Sequence, residues 1–145
     1  MRSFVVGLAV LGSLAACDST TATSNAGELE LAQHQTQWAN RSFHSYMYDY
    51  HNSAPIGNAN VHVTVTADTV SSVIDADTGL EPEVTLVVPT IDGLFLYAHS
   101  FLSEKGATVN LEFDSVLGYP THVSAFNNNP GGGYDATVSN LHPTQ

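Results

Sequence analysis

Residues 59–75 read ANVHVTVTADTVSSVID, and this stretch decides the fold class. Valines at every second position of its first half alternate with polar residues, which is the period of a strand with one face against a core. A second run rich in β-branched residues, 69–75, follows after only two residues, Ala67 and Asp68. Two strands joined by so short a connection predict a β-hairpin.

Segments on either side of this hairpin extend the pattern. Residues 27–41 contain no internal Gly or Pro and predict a helix, and residues 42–50 predict an aromatic-rich strand. Beyond the hairpin, the periodic segments predict one helix and then three strands, at 90–105, 107–114, 118–126 and 133–141. The order α-β-β-β-α-β-β-β is typical of an α+β fold, in which an antiparallel sheet carries helices on one face.

The second predicted helix has the clearest signals at its ends. Thr90 is a suitable N-cap, Asp92 suits the positive end of the helix dipole, and Lys105 with Gly106 predicts the C-terminus. We expect the helix to pack on the sheet through one apolar stripe, which includes Leu94, Phe95, Phe101 and Leu102.

The N-terminus reads as a segment that is removed during export. Residues 1–16 combine a basic Arg2 with an apolar run that would reach only about 20 Å as a helix, short of the roughly 30 Å of a bilayer core. The sequence LAAC at 14–17, which holds the only cysteine, resembles the lipobox of bacterial lipoproteins. That resemblance implies cleavage before Cys17 and acylation of its thiol, and two or three acyl chains give stable membrane anchoring.

These assignments predict three regions. A signal peptide covers 1–16, the lipidated cysteine and a flexible, small and polar tether cover 17–26, and one α+β domain covers 27–145. The expected location is the cell membrane, with the domain lipid-anchored and facing the periplasm or the cell exterior. Asp18 resembles the inner-membrane retention signal of some Gram-negative lipoproteins.

Charge narrows the classes of partner. The chain has fourteen acidic and three basic residues, and loss of Arg2 with the signal peptide leaves a net charge of −12. A nucleic-acid binder needs a basic surface, so this class is excluded. An anionic lipid surface would also repel the domain, so the acyl chains would have to hold it there.

Five features, spread over roughly Trp38 to Pro143, resemble a domain of unknown function found in secreted bacterial lipoproteins. They are Trp38, the Y-x-Y of Tyr46 and Tyr48, the alternating VHVTV at 61–65, the sequence PTIDGLF at 89–95, and FDSVLGYPTHV at 113–123. Many members carry a C-x-C shortly after the Y-x-Y. This chain has no cysteine there, so no disulfide or thiol role is carried over. The resemblance implies a lipoprotein setting and no established activity.

Four residues are candidates for binding. Tyr46 and Tyr48 would form an exposed aromatic platform for a glycan or a peptide, although aromatic residues in strands also fill cores. Asp114 and Tyr119 lie in a predicted turn, where the carboxylate would accept hydrogen bonds from loop amides and the tyrosine would lie at the tip.

Metal binding is an alternative function. The acidic loop after the hairpin carries oxygen ligands that suit Ca²⁺, namely Asp75, Asp77, Glu81 and Glu83. Seven histidines are present, and His44 and His62 could meet across strands with His122 to hold zinc or copper. The tripeptide DTG at 77–79 matches that of aspartic proteases, but one copy in a polar loop favours a turn.

These observations favour a membrane-anchored cell-envelope lipoprotein that acts as a non-enzymatic binding or assembly accessory. No cofactor is expected, and the expected partners are the membrane, through the anchor, and an envelope protein or a glycan. The alternatives are a metal-handling lipoprotein and a hydrolytic enzyme, for which no nucleophile elbow is present.

Overall fold

The computed structural model describes residues 19–54, 57–83, 86–127 and 133–144. The predicted signal segment and Cys17 lie outside these ranges. The elements follow the predicted order and are α1 Ser19–Ala39, β1 Tyr46–Ala54, β2 Gly57–Thr66, β3 Thr69–Asp75, α2 Ile91–Leu102, β4 Thr108–Phe113, β5 Pro120–Phe126 and β6 Gly133–Pro143. The prediction of an α+β fold is confirmed.

The six strands form one sheet in the order β3-β2-β1-β6-β5-β4, and every neighbouring pair is antiparallel. Each half of the chain supplies a three-stranded meander, and the two meanders join where β1 pairs with β6. This central pairing links strands that are far apart in the sequence, and no local pattern predicts it.

The predicted hairpin is confirmed as the β2–β3 pair. Its turn residues, Ala67 and Asp68, have φ angles of 48° and 61°. Two successive positive φ angles are the signature of a type I′ turn, whose twist matches that of the flanking strands. Asp68 is suited to this conformation because Asp adopts positive φ more readily than most residues.

One face of the sheet, here called the covered face, packs against both helices. Trp38 of α1 is fully buried, and its ring makes edge contacts with Tyr46 and Tyr119 at centroid distances of 5.4 and 6.1 Å. On α2, Phe95 is also buried and stacks with Phe113 of β4. The inward valines of β2 complete the centre of this core.

The helix boundaries differ from the predictions in two places. α1 begins at Ser19 rather than at residue 27, so residues 19–26 are helical in a segment that was predicted to be a flexible tether. α2 is capped as predicted by Thr90, whose hydroxyl accepts a hydrogen bond from the Gly93 amide at 3.1 Å. It ends at Leu102, before Lys105, and Gly106 adopts its positive φ of 83° in the following connection.

The helices run antiparallel and define two ends of the domain. Gly27 packs against Leu102 at the end of α2, and a Cβ on this glycine would lie 3.0 Å from the leucine Cδ2. Trp38 contacts Asp92 at the start of α2. The end at which α1 starts is called the upper end, and the lower end carries the β2–β3 turn and the 114–119 loop.

The opposite surface of the sheet, here called the open face, is polar. Its side chains come from the outward positions of the strands, and register pairing places Asp49 between His62 and Ser139, and His51 between Asn60 and Thr137. Most of these residues are exposed or half-buried. A solvated second face is common in antiparallel sheets, so burial on one side is enough to stabilise the fold.

Candidate functional site

The predicted aromatic platform lies in the core. Tyr46 and Tyr48 are 0 % and 1 % exposed. The Tyr48 hydroxyl donates a hydrogen bond to the Pro89 carbonyl, and the Tyr46 hydroxyl accepts one from the Ile91 amide at 3.3 Å. Burial raises the pKa of Tyr46 to about 12 and raises that of Tyr48 further. The geometry therefore favours the core-filling interpretation of the tyrosine stripe.

Asp114 organises the loop at the lower end. Its carboxylate accepts hydrogen bonds from the Val116 and Leu117 amides at 3.0 and 2.7 Å. Gly118 has a φ of 78°, and a Cβ there would lie 2.7 Å from the His34 carbonyl oxygen of α1. The loop can dock on α1 only because this position has no side chain.

Tyr119, the second candidate in this loop, is 8 % exposed and packs edge-on against Trp38. Gln37 fastens the loop from the helix side, since its amide donates hydrogen bonds to the carbonyl oxygens of Ser115 and Val116 at 3.1 and 2.8 Å. The geometry of both candidates is that of a structural loop, with Tyr119 turned inward.

The acidic loop after β3 is a turn built on Asp75. Its Oδ1 accepts hydrogen bonds from the amides of Asp77 and Thr78 and from the Thr78 hydroxyl, at 3.1, 2.8 and 2.9 Å. The bonds from Thr78 hold the pKa of Asp75 below its usual range. Asp77 instead accepts a hydrogen bond from Asn60. These two carboxylates thus point to different partners, and Glu81 and Glu83 are exposed.

The histidines proposed to meet across strands do not converge. His44 pairs with Asp68 at 2.7 Å, whereas His62 pairs with Asp49 at 2.6 Å. His122 lies 3.4 Å from Asp135. Across the described ranges, no three His, Cys, Asp or Glu side chains are gathered around a point that could hold a metal ion.

A cluster at the lower end ties both helices to the hairpin, and we call it the lower-end cluster: Trp38, Arg41, Asp68 and Asp92. The Arg41 guanidinium lies 4.1 Å from the Trp38 ring centroid and pairs with Asp68 at 2.6 Å and with Asp92 at 3.4 Å. The Trp38 indole donates to Asp92 at 3.3 Å. Because the Arg41 side chain is only 6 % exposed, its positive charge is enclosed within the cluster.

A second polar cluster lies on the open face, and sequence reasoning missed it. It is a continuous hydrogen-bonded chain, here called the open-face chain, that runs through His62, Asp49, Asn140 and His142. The Asp49 carboxylate accepts a hydrogen bond from Asn140 Nδ2 at 2.6 Å and lies 2.6 Å from His62 Nδ1. The backbone carbonyl oxygen of Asn140 lies 2.8 Å from His142 Nδ1. The hydrogen bond from Asn140 and the contact with His62 lower the pKa of Asp49.

The open-face chain has exposed, oriented imidazoles that can take part in several kinds of chemistry. The His62 side chain is 49 % exposed and His142 is also exposed, so both rings can reach a ligand while their Nδ1 atoms stay fixed. An oriented imidazole can bind a metal, transfer a proton or accept a hydrogen bond. The alternation of β2 places His62 on the outward face, but nothing in the sequence pattern places Asn140 beside it.

Within the described part of the chain, neither helix has the length and apolar character needed to cross a bilayer. No curated protein and no solved structure shows a match to the chain. A family model does match, over residues 30–129, and this range includes the whole lower-end cluster but ends before β6. Because the match spans more than half of the sequence, the chain belongs to DUF6174, a family of unknown function.

Proposed function

We propose that this protein is a lipid-anchored cell-envelope domain, held in the membrane through Cys17, that acts by binding an envelope protein or glycan without catalysing a reaction. The observation that carries the proposal is the sequence LAAC at 14–17, directly after an apolar run too short to span a bilayer. A location at the cell membrane, with the domain facing the periplasm or the cell exterior, follows from the same anchor.

The charge of the domain supports an anchor of this kind. With two basic residues left against fourteen acidic ones, a chain starting at Cys17 has no electrostatic attraction to an anionic surface. One of those two bases, Arg41, is enclosed in the lower-end cluster. Acyl chains supply membrane affinity that does not depend on charge, at about 0.8 kcal/mol for each buried methylene group.

The direction of α1 supports an orientation for the anchored domain. Residues 19–26 extend the helix beyond Gly27, which packs at the upper end. At about 1.5 Å per residue, this extension adds roughly 12 Å of helix before Gly27, on the side of the chain that leads to Cys17. The lower end would then point away from the membrane.

In this orientation the open face is the broad surface left for a partner, because the helices occupy the other side of the sheet. Its outward carboxylates, amides, imidazoles and hydroxyls offer hydrogen-bond donors and acceptors in rows set by the strand register. Such a surface suits a polar ligand, which is why we name a glycan or the polar surface of an envelope protein as the partner.

The anchor is tested by radiolabelled palmitate and membrane fractionation of the full chain and of Cys17→Ser. We expect label and membrane association in the parent only, because a serine hydroxyl does not replace the thiol as lipid acceptor. Far-ultraviolet circular dichroism checks that both chains fold. Equal labelling of the two chains, or no label on the parent, would overturn the anchor.

The partner surface is tested by site-specific photo-crosslinking in cells. A photoreactive residue at Thr137 samples the open face, and one at Leu96, which is 66 % exposed on α2, is the matched control on the helix side. We expect a discrete crosslinked product from Thr137 and none from Leu96. The reverse pattern would place the binding surface on the helices and contradict the proposal.

A further inference from the structure

The open-face chain contains two histidines whose proton positions can be assigned from their partners. The Asn140 carbonyl oxygen only accepts hydrogen bonds, so His142 Nδ1, 2.8 Å away, must donate. The oxygens of the Asp49 carboxylate also accept hydrogen bonds, so His62 Nδ1, 2.6 Å away, donates to Asp49. In the neutral form of each ring, the lone pair is therefore on Nε2.

This arrangement is that of histidines prepared to bind a metal. Metal-ligating imidazoles commonly donate their second ring N–H to a carboxylate or to a backbone carbonyl, which fixes the tautomer and the ring orientation. His62 has the first kind of partner and His142 has the second. Two different supports thus leave the same ring atom, Nε2, available on neighbouring parts of one surface.

The backbone is bent at the point that brings the two histidines together. Between Met47 and Asp49 the β1–β6 register shifts, so β6 carries one extra residue there. Asn140 lies in this bulge with a φ of 52°, a conformation in which Asn is enriched among residues other than glycine. Bulges often redirect side chains next to functional sites. Here the bulge lets Asn140 reach Asp49 while His142 still occupies an outward position.

A soft ligand lies on the strand between the two histidines. Met47 of β1 is the register partner of His142 on β6, and His62 is the partner of Asp49, two residues further along β1. Directly opposed residues on neighbouring strands have Cβ atoms about 5 Å apart, and diagonal ones lie within reach of long side chains. The Met47 thioether can therefore meet both imidazoles from the middle strand.

We propose that the open face binds one Cu(I) ion through His62 Nε2, His142 Nε2 and Met47 Sδ. Thioether and imidazole ligands together favour Cu(I) over harder ions such as Mg²⁺ and Ca²⁺, which take oxygen ligands. Asp49 and Asn140 are positioning residues that hold the histidines. The proposal goes beyond the proposed binding function and does not depend on the anchor at Cys17.

The proposed ligand set has two histidines and one methionine, so it differs from a group of three His, Cys, Asp or Glu side chains, of which the described ranges hold none. His51 and His122 also lie on the open face, in register on either side of Thr137. Their row contains no thioether. Met47 shares its row with His142, and His62 lies in the next row, so we assign the ion to this part of the sheet.

The test is an anaerobic competition titration of Cu(I) against a colorimetric Cu(I) chelator. The full chain is used as Cys17→Ser, without a histidine tag, because a free thiol at this only cysteine would itself bind Cu(I). We expect one ion per chain and at least a tenfold loss of affinity in His62→Ala, His142→Ala and Met47→Leu. Binding that is absent in the parent overturns the proposal.

The matched control is His99→Ala. His99 Nδ1 is also fixed by a carboxylate, Glu28 at 2.9 Å, but it lies on α2 with the helices. We expect its affinity to equal that of the parent, and equal losses in all four variants would show nonspecific binding to surface histidines. X-ray absorption then identifies the ligands: a sulfur neighbour of copper in the parent must disappear in Met47→Leu, and its persistence would remove Met47 from the site.

Discussion

The lower-end cluster and the open-face chain are built from similar polar groups but differ in how far these groups are buried. The first joins two carboxylates, and the second joins one, to nitrogen donors from other parts of the chain. In the first, Arg41 is covered by Trp38 and its charge is enclosed. In the second, the imidazole of His62 is oriented by Asp49 and remains half exposed. Hydrogen-bonded polar groups therefore stabilise the fold where a core covers them, and they remain available to a ligand where solvent reaches them.

Removal of the Trp38 ring should have the largest effect on stability. Trp38→Ala deletes a fully buried side chain that contacts both the sheet and the 114–119 loop, so we expect a loss of about 3–5 kcal/mol in the free energy of unfolding. Denaturant unfolding measures it. Leu96→Ala, at an exposed position of α2, is the control and should change stability by less than about 0.5 kcal/mol. A similar loss in both variants would contradict the central role of Trp38.

Alkaline pH should destabilise the fold through the buried tyrosines of the covered face. Burial raises the pKa of Tyr46 to about 12 and also raises the pKa values of Tyr48, Tyr50 and Tyr134. A raised pKa means that the folded state holds the proton more tightly, so stability is complete below pH 10 and falls as the pH rises toward 12. Phenolate absorbance and circular dichroism should change together. Phenolate formation with the usual tyrosine pKa in a folded chain would contradict the burial.

Loss of the Arg41 side chain should cost less than loss of Trp38. In Arg41→Ala the two carboxylates can be solvated because Asp68 and Asp92 are 44 % and 52 % exposed, so the loss is mainly that of packing and of the cation–π contact. We expect about 1–2 kcal/mol in the free energy of unfolding. Lys105→Ala removes an exposed positive charge and should be nearly neutral. Equal effects would show that net charge, not the lower-end cluster, decides stability.

A change at Asn140 should separate the open-face chain from the fold. Asn140→Gly tolerates the positive φ of 52°, whereas Asn140→Ala should be less stable than Asn140→Gly by about 1 kcal/mol because of backbone strain. Both variants remove the amide that holds Asp49. Thermal melts and Cu(I) titrations of the pair should therefore show different stabilities and equally weakened Cu(I) affinity. Parent-like affinity in either one would remove Asn140 from the positioning role.

Local patterns predicted much of the fold because the relevant interactions are close in sequence. The β2–β3 hairpin follows from alternation and a two-residue turn, and the start of α2 follows from its Thr90 cap. The β1–β6 pairing depends on residues in opposite halves of the chain, which no local pattern records. Periodicity also places Tyr46 and Tyr48 on one face without saying whether that face is covered, so the platform and core interpretations could not be separated.

The candidate sites were harder to predict for the same reason. The sequence pattern assigns Asp92 to the dipole of its own helix, whereas its contacts with Trp38 and Arg41 arise only when α1 lies beside α2. The open-face chain depends on a bulge and on positive φ at Asn140, a backbone feature that this residue permits without requiring. Sequence reasoning therefore found the residues that form elements and missed those that act across them.

The most direct test of the contrast between the two regions is the thermal shift caused by buffered Cu(I) in Cys17→Ser chains. At a free concentration about 100 times Kd, a ligand that binds only the folded state adds roughly 2.7 kcal/mol. We predict that the parent and Arg41→Ala show the same rise in Tm, from a lower starting value in Arg41→Ala. The rise in His62→Ala should be at most about half as large, because a tenfold loss of affinity leaves roughly 1.4 kcal/mol of the stabilisation. An equal rise in His62→Ala, or a rise lost in Arg41→Ala alone, would contradict the separation of a structural cluster from a ligand-binding one.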